Sequence, residues 1–307
     1  MNNYSKWDIL LIPPEGRLSA ILADKGNALK YSWAKNHYGE KILLVEGKLQ
    51  KHFNNSDFNF KYIDLIPFKE GIQIILKNEE HTEIFENLCK DLIRSTKGIN
   101  SEQKAINSLL LRIKKWQKLL SSLNRYLDKN FLKGLVGELL FIKKLLGHFD
   151  RREVLDFWKS PTEESVHDFI VNDTAIEIKT KTSKNIINIS SYEQMFTELP
   201  KLYLYVYTLS ECDRNKGFNI YDIIGEIKKL LSDEYLIFYF ERLLVDYGFV
   251  SLKEYNEVYF SHIKEEAFKV GEGFPKIEKK SDAVINLKYS IKIDKIEEFK
   301  IEEKDMF

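Results

Sequence analysis

The stretch VHDFIVNDTAIEIKTKT, residues 166–182, permits few backbone arrangements. Asn172-Asp173 is a turn-prone pair between two apolar runs, the pattern of a β-hairpin with a tight connection. Centring the turn there sets the register. Val171 opposes Thr174, Ile170 opposes Ala175, Phe169 opposes Ile176, and Asp168 opposes Glu177. Directly opposed side chains stand roughly 5 Å apart at Cβ, where like charges repel. Lys179 follows Glu177 by two positions and so shares its face, while Ile176 and Ile178 turn the other way into a core. Two carboxylates and a lysine thus converge on one side of an otherwise apolar hairpin. A bound cation would offset the repulsion, and Mg²⁺ takes hard oxygen ligands of this kind. The competing account is a surface hairpin whose charges face water, because Glu-x-Lys is common in a chain that is 31% charged.

A third carboxylate lies upstream. Residues 127–146, LDKNFLKGLVGELLFIKKLL, set Phe131, Leu135, Leu139, Ile142 and Leu146 along one face of a helix. Glu138 falls on the margin of that stripe, where a carboxylate is costly unless it is paired, hydrogen-bonded or ligating. Gly134 and Gly137 flank it, each costing ~1 kcal/mol of helix propensity against alanine. They would let a neighbouring backbone or a substrate approach closely. Taken alone, an edge glutamate beside packing glycines is the plainer account.

The segments between and after these two follow a simple order. EVLDFW (153–158) reads as a strand and KSPTEES (159–165) as a polar loop. The hairpin follows, then NIINISS (185–191) as a third strand and SYEQMFTEL (191–199) as a short helix ended by Pro200. LYLYVYTL (202–209) is apolar on both faces and reads as a buried central strand, with Tyr203, Tyr205 and Tyr207 sharing one packing face.

This order resembles the αβββαβ core of the PD-(D/E)XK nuclease superfamily, which includes restriction endonucleases and Holliday-junction resolvases. The details GELLF, HDF, EIKT and ISSYEQM also resemble a bacterial group of PD-(D/E)XK proteins associated with phage-defence gene clusters, a likeness covering most of the chain. One departure is visible: His167 precedes Asp168 where the motif's name places a proline. The resemblance implies that Asp168 and Glu177 ligate Mg²⁺, with Mn²⁺ as a substitute, helped by the Ile178 carbonyl. It implies that Lys179 orients the attacking water, that Glu138 binds metal directly or through water, and that Gln194 contacts substrate phosphate or a metal-bound water. Strand alternation turns His167 to the opposite face, as a packing or hydrogen-bonding residue. The implied activity is metal-dependent DNA endonuclease action in restriction or antiphage defence. The alternatives are a non-catalytic nucleic-acid or protein-binding subunit that keeps the fold, and a coincidental motif in an unrelated α/β protein.

Around this core the 307 residues suffice for two or three domains. We expect an α/β chain, α+β overall. Residues 1–100 form an N-terminal α+β domain for recognition or partner binding, 101–215 a helical lead-in and the nuclease core, and 216–307 a C-terminal helical and β extension. In the first, WDILLI (7–12), KILLVEG (41–47), KYIDLIPF (61–68) and GIQIILKN (71–78) are strand candidates. HFNNSDFNF (52–60) is turn-rich, and a helix spans residues 81–96. Arg17 and Lys25 read as solvated surface. A helix through AINSLLLRIKKWQKLLSSL carries Arg112, Lys114, Lys115 and Lys118 with Trp116 among them, either a phosphate-lying cluster or a solvated face. Beyond the core, 218–232 and 233–248 read as helices, 255–270 and 282–293 as strands, and DKIEEFKIEEKDMF as a solvated tail.

Lysine plus arginine and aspartate plus glutamate number 47 each, so no global basic field attracts nucleic acid and any such binding needs a local patch. Cys89 and Cys212 lie far apart and form no metal-ligand motif. No secretory leader, apolar 20-residue span or Walker motif is present. The expectation is a cytoplasmic protein without a membrane segment, with DNA and defence-system proteins as partners and a homodimer as the form able to cut two strands.

Overall fold

The computed structural model describes residues 5–48, 62–121, 129–159, 165–278, 281, 283–284 and 287–306. The chain divides into two compact units, Met1–Asn124 with Val250–Leu252, and Arg125–Phe249 with Lys253–Phe307. The helix expected to lead into the core therefore belongs to the first unit, and the C-terminal hundred residues belong with the core.

The first unit is an antiparallel sheet and two helices. Strands β1 (Ser19–Leu22), β2 (Lys30–Lys35), β3 (Lys41–Glu46), β4 (Ile63–Phe68) and β5 (Gly71–Leu76) run in the order β1-β2-β3-β5-β4. The runs at 41–47, 61–68 and 71–78 are strands as expected, whereas 52–60 lies outside the described residues. WDILLI is not a strand. Residues 5–8 form a turn in which Asp8 donates its amide to Ser5 O, so Trp7 and Leu10 face inward while Ile9, Leu11 and Ile12 stay exposed. The Trp7 indole donates to Ile42 O at 2.9 Å and stacks on Phe85. Helix α1 (Thr82–Ser95) packs on α2 (Glu102–Ser121). Arg112 and Trp116 leave the expected basic cluster, because both turn inward to donate to the Asp91 carboxylate. Lys114 and Lys115 remain exposed, and the Lys118 side chain lies outside the described residues.

The second unit is built on one mixed sheet. Helices α3 (Lys129–Leu145) and α4 (Arg151–Phe157) precede β6 (Phe169–Val171), β7 (Thr174–Lys181), β8 (Ile186–Ile189) and β9 (Lys201–Cys212). Helices α5 (Ile220–Leu231) and α6 (Glu234–Tyr247) follow, then β10 (Tyr259–Lys269), β11 (Tyr289–Lys292) and β12 (Lys300–Ile301). The sheet order is β12-β10-β9-β7-β6, with β7 and β9 parallel and the other pairs antiparallel. LYLYVYTL is thus the central strand. One face carries Phe169, Ile178, Tyr205 and Tyr207 toward α3, where Phe141 meets Phe169 and Tyr205 at ring-centroid distances of 4.9 and 5.0 Å. The other face packs Ala175, Leu204 and Val206 against Ile187, Ile189, Met195 and Ile291.

Five expectations change here. EVLDFW is helical to Phe157 because the Asp150 side chain caps Arg152 N, and only Trp158 forms an isolated bridge, to Phe169. NIINISS forms β8, yet it pairs with β11 in a separate two-stranded sheet. The residues after it make a single 3-10 turn, Tyr192–Met195, and among the described residues of 282–293 only Tyr289–Lys292 is strand. The tail is not simply solvated, since Ile296 and Met306 are buried and Lys300–Ile301 adds an edge strand to β10. Its apolar residues are too few to show as a periodic pattern, but they cover a sheet edge.

Gly137 sits where α3 crosses β7. A Cβ there would lie 2.3 Å from Thr180 Cγ2, whereas one at Gly134 meets nothing within 4 Å. Thr180 is β-branched and stiff, so Gly137→Ala is expected to destabilise the chain by about 1–3 kcal/mol in urea unfolding. Gly134→Ala is expected to be neutral or stabilising by about 0.5–1 kcal/mol. Equal effects from the two would show that α3 does not approach β7 this closely.

Candidate active site

The hairpin register is the one its sequence dictates: Phe169 pairs Ile176, Ile170 pairs Ala175 and Val171 pairs Thr174. Asn172 closes the turn at φ +53°, a conformation that asparagine tolerates better than most residues. Strand β6 has three residues and β7 has eight, so beyond Ile176 the outer edge of β7 has no ladder partner in β6. Asp168 takes that place: its Oδ2 accepts the Ile178 N–H at 2.7 Å. In a strand the N–H and C=O of one residue face the same edge, so the Ile178 carbonyl faces this open edge as well.

Glu177 is fully buried and directs Oε1 to Lys179 Nζ at 2.5 Å. Lys179 also donates to Gln194 Oε1 at 3.1 Å, and that oxygen accepts Ser190 N–H at 3.0 Å. An ammonium has three protons, so one remains for a third partner. Glu138, on α3, is buried and both of its oxygens are engaged. Trp158 Nε1 donates to Oε2 at 2.7 Å and the Tyr247 hydroxyl to Oε1 at 2.5 Å. The Trp158 and Tyr247 rings stack at 5.3 Å and so brace each other. Glu138, Asp168, Glu177, Ile178, Lys179 and Gln194 all border one cleft of about 780 Å³.

Three carboxylates face one ammonium, and the electrostatics reflect this. Burial pushes the Glu138 pKa up to about 7, and the Glu177 charge adds to that rise against the two hydrogen bonds. Asp168 is raised well above the usual carboxylate range, by desolvation first and then by the charges of Glu177 and Glu138. Desolvation alone would lower Lys179, but Glu177, Asp168 and Glu138 together outweigh it and raise the ammonium above its ordinary value.

His167 lies elsewhere than alternation suggests. It precedes β6 in a bend, so strand periodicity does not reach it. Its Nε2 bonds to Phe196 O at 3.0 Å, as a hydrogen-bonding histidine, and Nδ1 stands 3.8 Å from Glu177 Oε2. With Nε2 as the donor to a carbonyl, a neutral ring presents an acceptor at Nδ1. Two buried atoms, Nδ1 and Oε2, therefore face each other with no hydrogen-bond partner among the described residues. Such a pair calls for a shared donor or a cation.

Among the described residues no group of three or more His, Cys, Asp or Glu side chains is spaced to hold a metal ion. The arrangement does fit a cation held by fewer protein ligands. Asp168, Glu177 and the Ile178 carbonyl offer hard oxygens at one edge, and Mg²⁺ is commonly bound by one or two carboxylates with water completing the shell. The buried, unpaired Glu177 Oε2 is the observation that supports this fit. Sequence reasoning missed Trp158 and Tyr247 as the groups holding Glu138. Tyr247 is 109 residues away in the chain, and no local pattern connects the two.

A family model described as "Putative PD-(D/E)XK family member, (DUF4420)" matches residues 4–294. No curated protein and no solved structure matches the chain.

The raised Glu138 pKa has a definite sign in stability. Between the ordinary value of 4.5 and about 7 the folded chain holds a proton that the unfolded chain has lost, so stability falls as pH rises through that window. Without divalent metal, the wild type is expected to lose about 1–3 kcal/mol more than Glu138→Gln from pH 4.5 to 7.5. Parallel urea-unfolding profiles for the two proteins would show Glu138 ionised throughout.

Proposed function

The chain belongs to this PD-(D/E)XK family, whose fold is nuclease-like, and from that premise we propose that it is a metal-dependent endonuclease that hydrolyses DNA phosphodiesters. The observation that carries the reading is the meeting of Asp168, Glu177 and Lys179 at the open edge of β7, with Glu138 beside them in one cleft. A divalent cation held by Asp168, Glu177 and the Ile178 carbonyl would supply an activated water at neutral pH and offset charge on the phosphate. Lys179 brings a fixed positive charge, held by Glu177 and Gln194, with one N–H left for the attacking water or a phosphate oxygen. Such preorganised charge stabilises a transition state without reorganising as the reaction proceeds. Gln194 thereby positions Lys179. Glu138, whose oxygens already accept from Trp158 and Tyr247, would hold such a cation through water.

Among the described residues no helix is long and apolar enough to cross a membrane, and Cys89 and Cys212 are both free. A cytoplasmic setting accords with both facts. The role in restriction or antiphage defence, alongside partner proteins, rests on the likeness of GELLF, HDF, EIKT and ISSYEQM to defence-associated proteins. Two-strand cleavage would draw on two copies of the chain.

The test is cleavage of supercoiled plasmid and phage DNA with Mg²⁺ or Mn²⁺. Asp168→Ala and Lys179→Ala are each expected to lower the rate by about 100-fold or more, and a chelator to abolish it. Equal activity in wild type and both variants would sink the assignment. Calorimetric Mn²⁺ binding that Asp168→Ala loses, without cleavage by the wild type, would leave a fold that binds metal and needs a partner.

A further inference from the structure

The site chemistry uses one lysine of the cleft, and three others border it. Lys133 comes from α3, Lys181 from the end of β7, and Lys184 from the turn after it. Among the described residues none of the three forms an ion pair, whereas Lys179 pairs with Glu177. The cleft is thus bordered by four lysines against the three carboxylates of Glu138, Asp168 and Glu177, a local positive balance in a chain with no net charge. Lys181 lies two residues beyond Lys179, about 7 Å along the strand on the same side.

The cleft's other chemistry decides what these cations grip. Among the described residues it is bordered by no arginine and no aromatic ring. Arginine forks are the commonest specific base contact, and asparagine or glutamine reads adenine only with both amide atoms free. Gln194 Oε1 is occupied by Lys179 and Ser190, Asn188 Oδ1 by the Ser290 hydroxyl, and Asn130 is also engaged by a partner. Single-stranded nucleic acid is usually held by bases stacked on aromatic rings, and this cleft offers none.

Resting on the nuclease reading above, we infer that Lys133, Lys181 and Lys184 form a phosphate grip that holds a nucleic-acid duplex by its backbone, without reading base sequence at the cleft. Three neutralised phosphates fix a number. The logarithm of the binding constant should fall with the logarithm of salt concentration at a slope of about −2.7. Each lysine removed should reduce that slope by about 0.9 and weaken all sequences alike.

The experiment uses the full chain in EDTA, which prevents cleavage, and fluorescence anisotropy with two labelled DNA duplexes of unrelated sequence and one single strand. Wild type, Lys133→Ala, Lys181→Ala and Lys184→Ala are titrated across a salt series, and Mg²⁺-dependent cleavage is scored in parallel. The expected result is equal affinity for both duplexes, weaker binding of the single strand, and a shallower slope in every variant. Preference for one duplex, preference for the single strand, or an unchanged slope in all three variants overturns the grip, even where cleavage persists. A normal slope and its loss in the variants, with no cleavage and no Mn²⁺ binding, supports the grip and overturns the nuclease reading instead.

Discussion

Asp168, just before β6, and Glu177, on β7, repel each other at the border of a core, and the second unit of this chain is arranged around containing that repulsion. Asp168 spends one oxygen on the Ile178 N–H, so its charge is tied to the backbone of the opposing strand. Glu177 spends one oxygen on Lys179 and leaves the other buried without a donor. Burial first, and then the mutual charges that one ammonium compensates only in part, raise both Asp168 and Glu138 above the ordinary carboxylate range. A site that holds protons so strongly is a site that a cation can stabilise.

The surrounding elements keep these groups from relaxing apart. Gly137 lets α3 press against Thr180 and Ile178, bringing Glu138 to the edge of β7. Trp158 and Tyr247 then engage both Glu138 oxygens from two separate segments, one after α4 and one at the end of α6. On the other side, the 3-10 turn carrying Gln194 holds Lys179, and the same turn is tied back through Phe196 O to His167, which faces Glu177. Each charged group is thus restrained from a different part of the chain. Pre-set geometry of this kind lowers the cost of organising a reacting centre.

Charge is distributed with the same economy. Several lysines of the second unit pair with carboxylates at the surface, where such pairs contribute little to stability. The half-buried meeting of Lys144 with Glu265 and Glu303 joins α3 to β10 and to the C-terminal tail, so that tail is part of the sheet's support.

Much of the β7 edge was legible in the residues themselves. Period-2 alternation and a two-residue turn are local rules, so the pairing of Phe169 with Ile176 and the shared face of Glu177 and Lys179 follow from sequence arithmetic. The helix bearing Glu138 was legible from its period and the central strand from a long run that is apolar on both faces. Local rules failed at short or irregular segments. EVLDFW is apolar enough for a strand but is capped as a helix by Asp150, and WDILLI folds as a turn around Trp7. His167 stands outside the strand whose alternation was applied to it. What only the tertiary structure decided is which distant side chains complete the site: Trp158 and Tyr247 on Glu138, Phe196 on His167, Gln194 on Lys179. Those contacts depend on how helices and sheet pack, and packing leaves no fixed spacing in the chain by which it could be read.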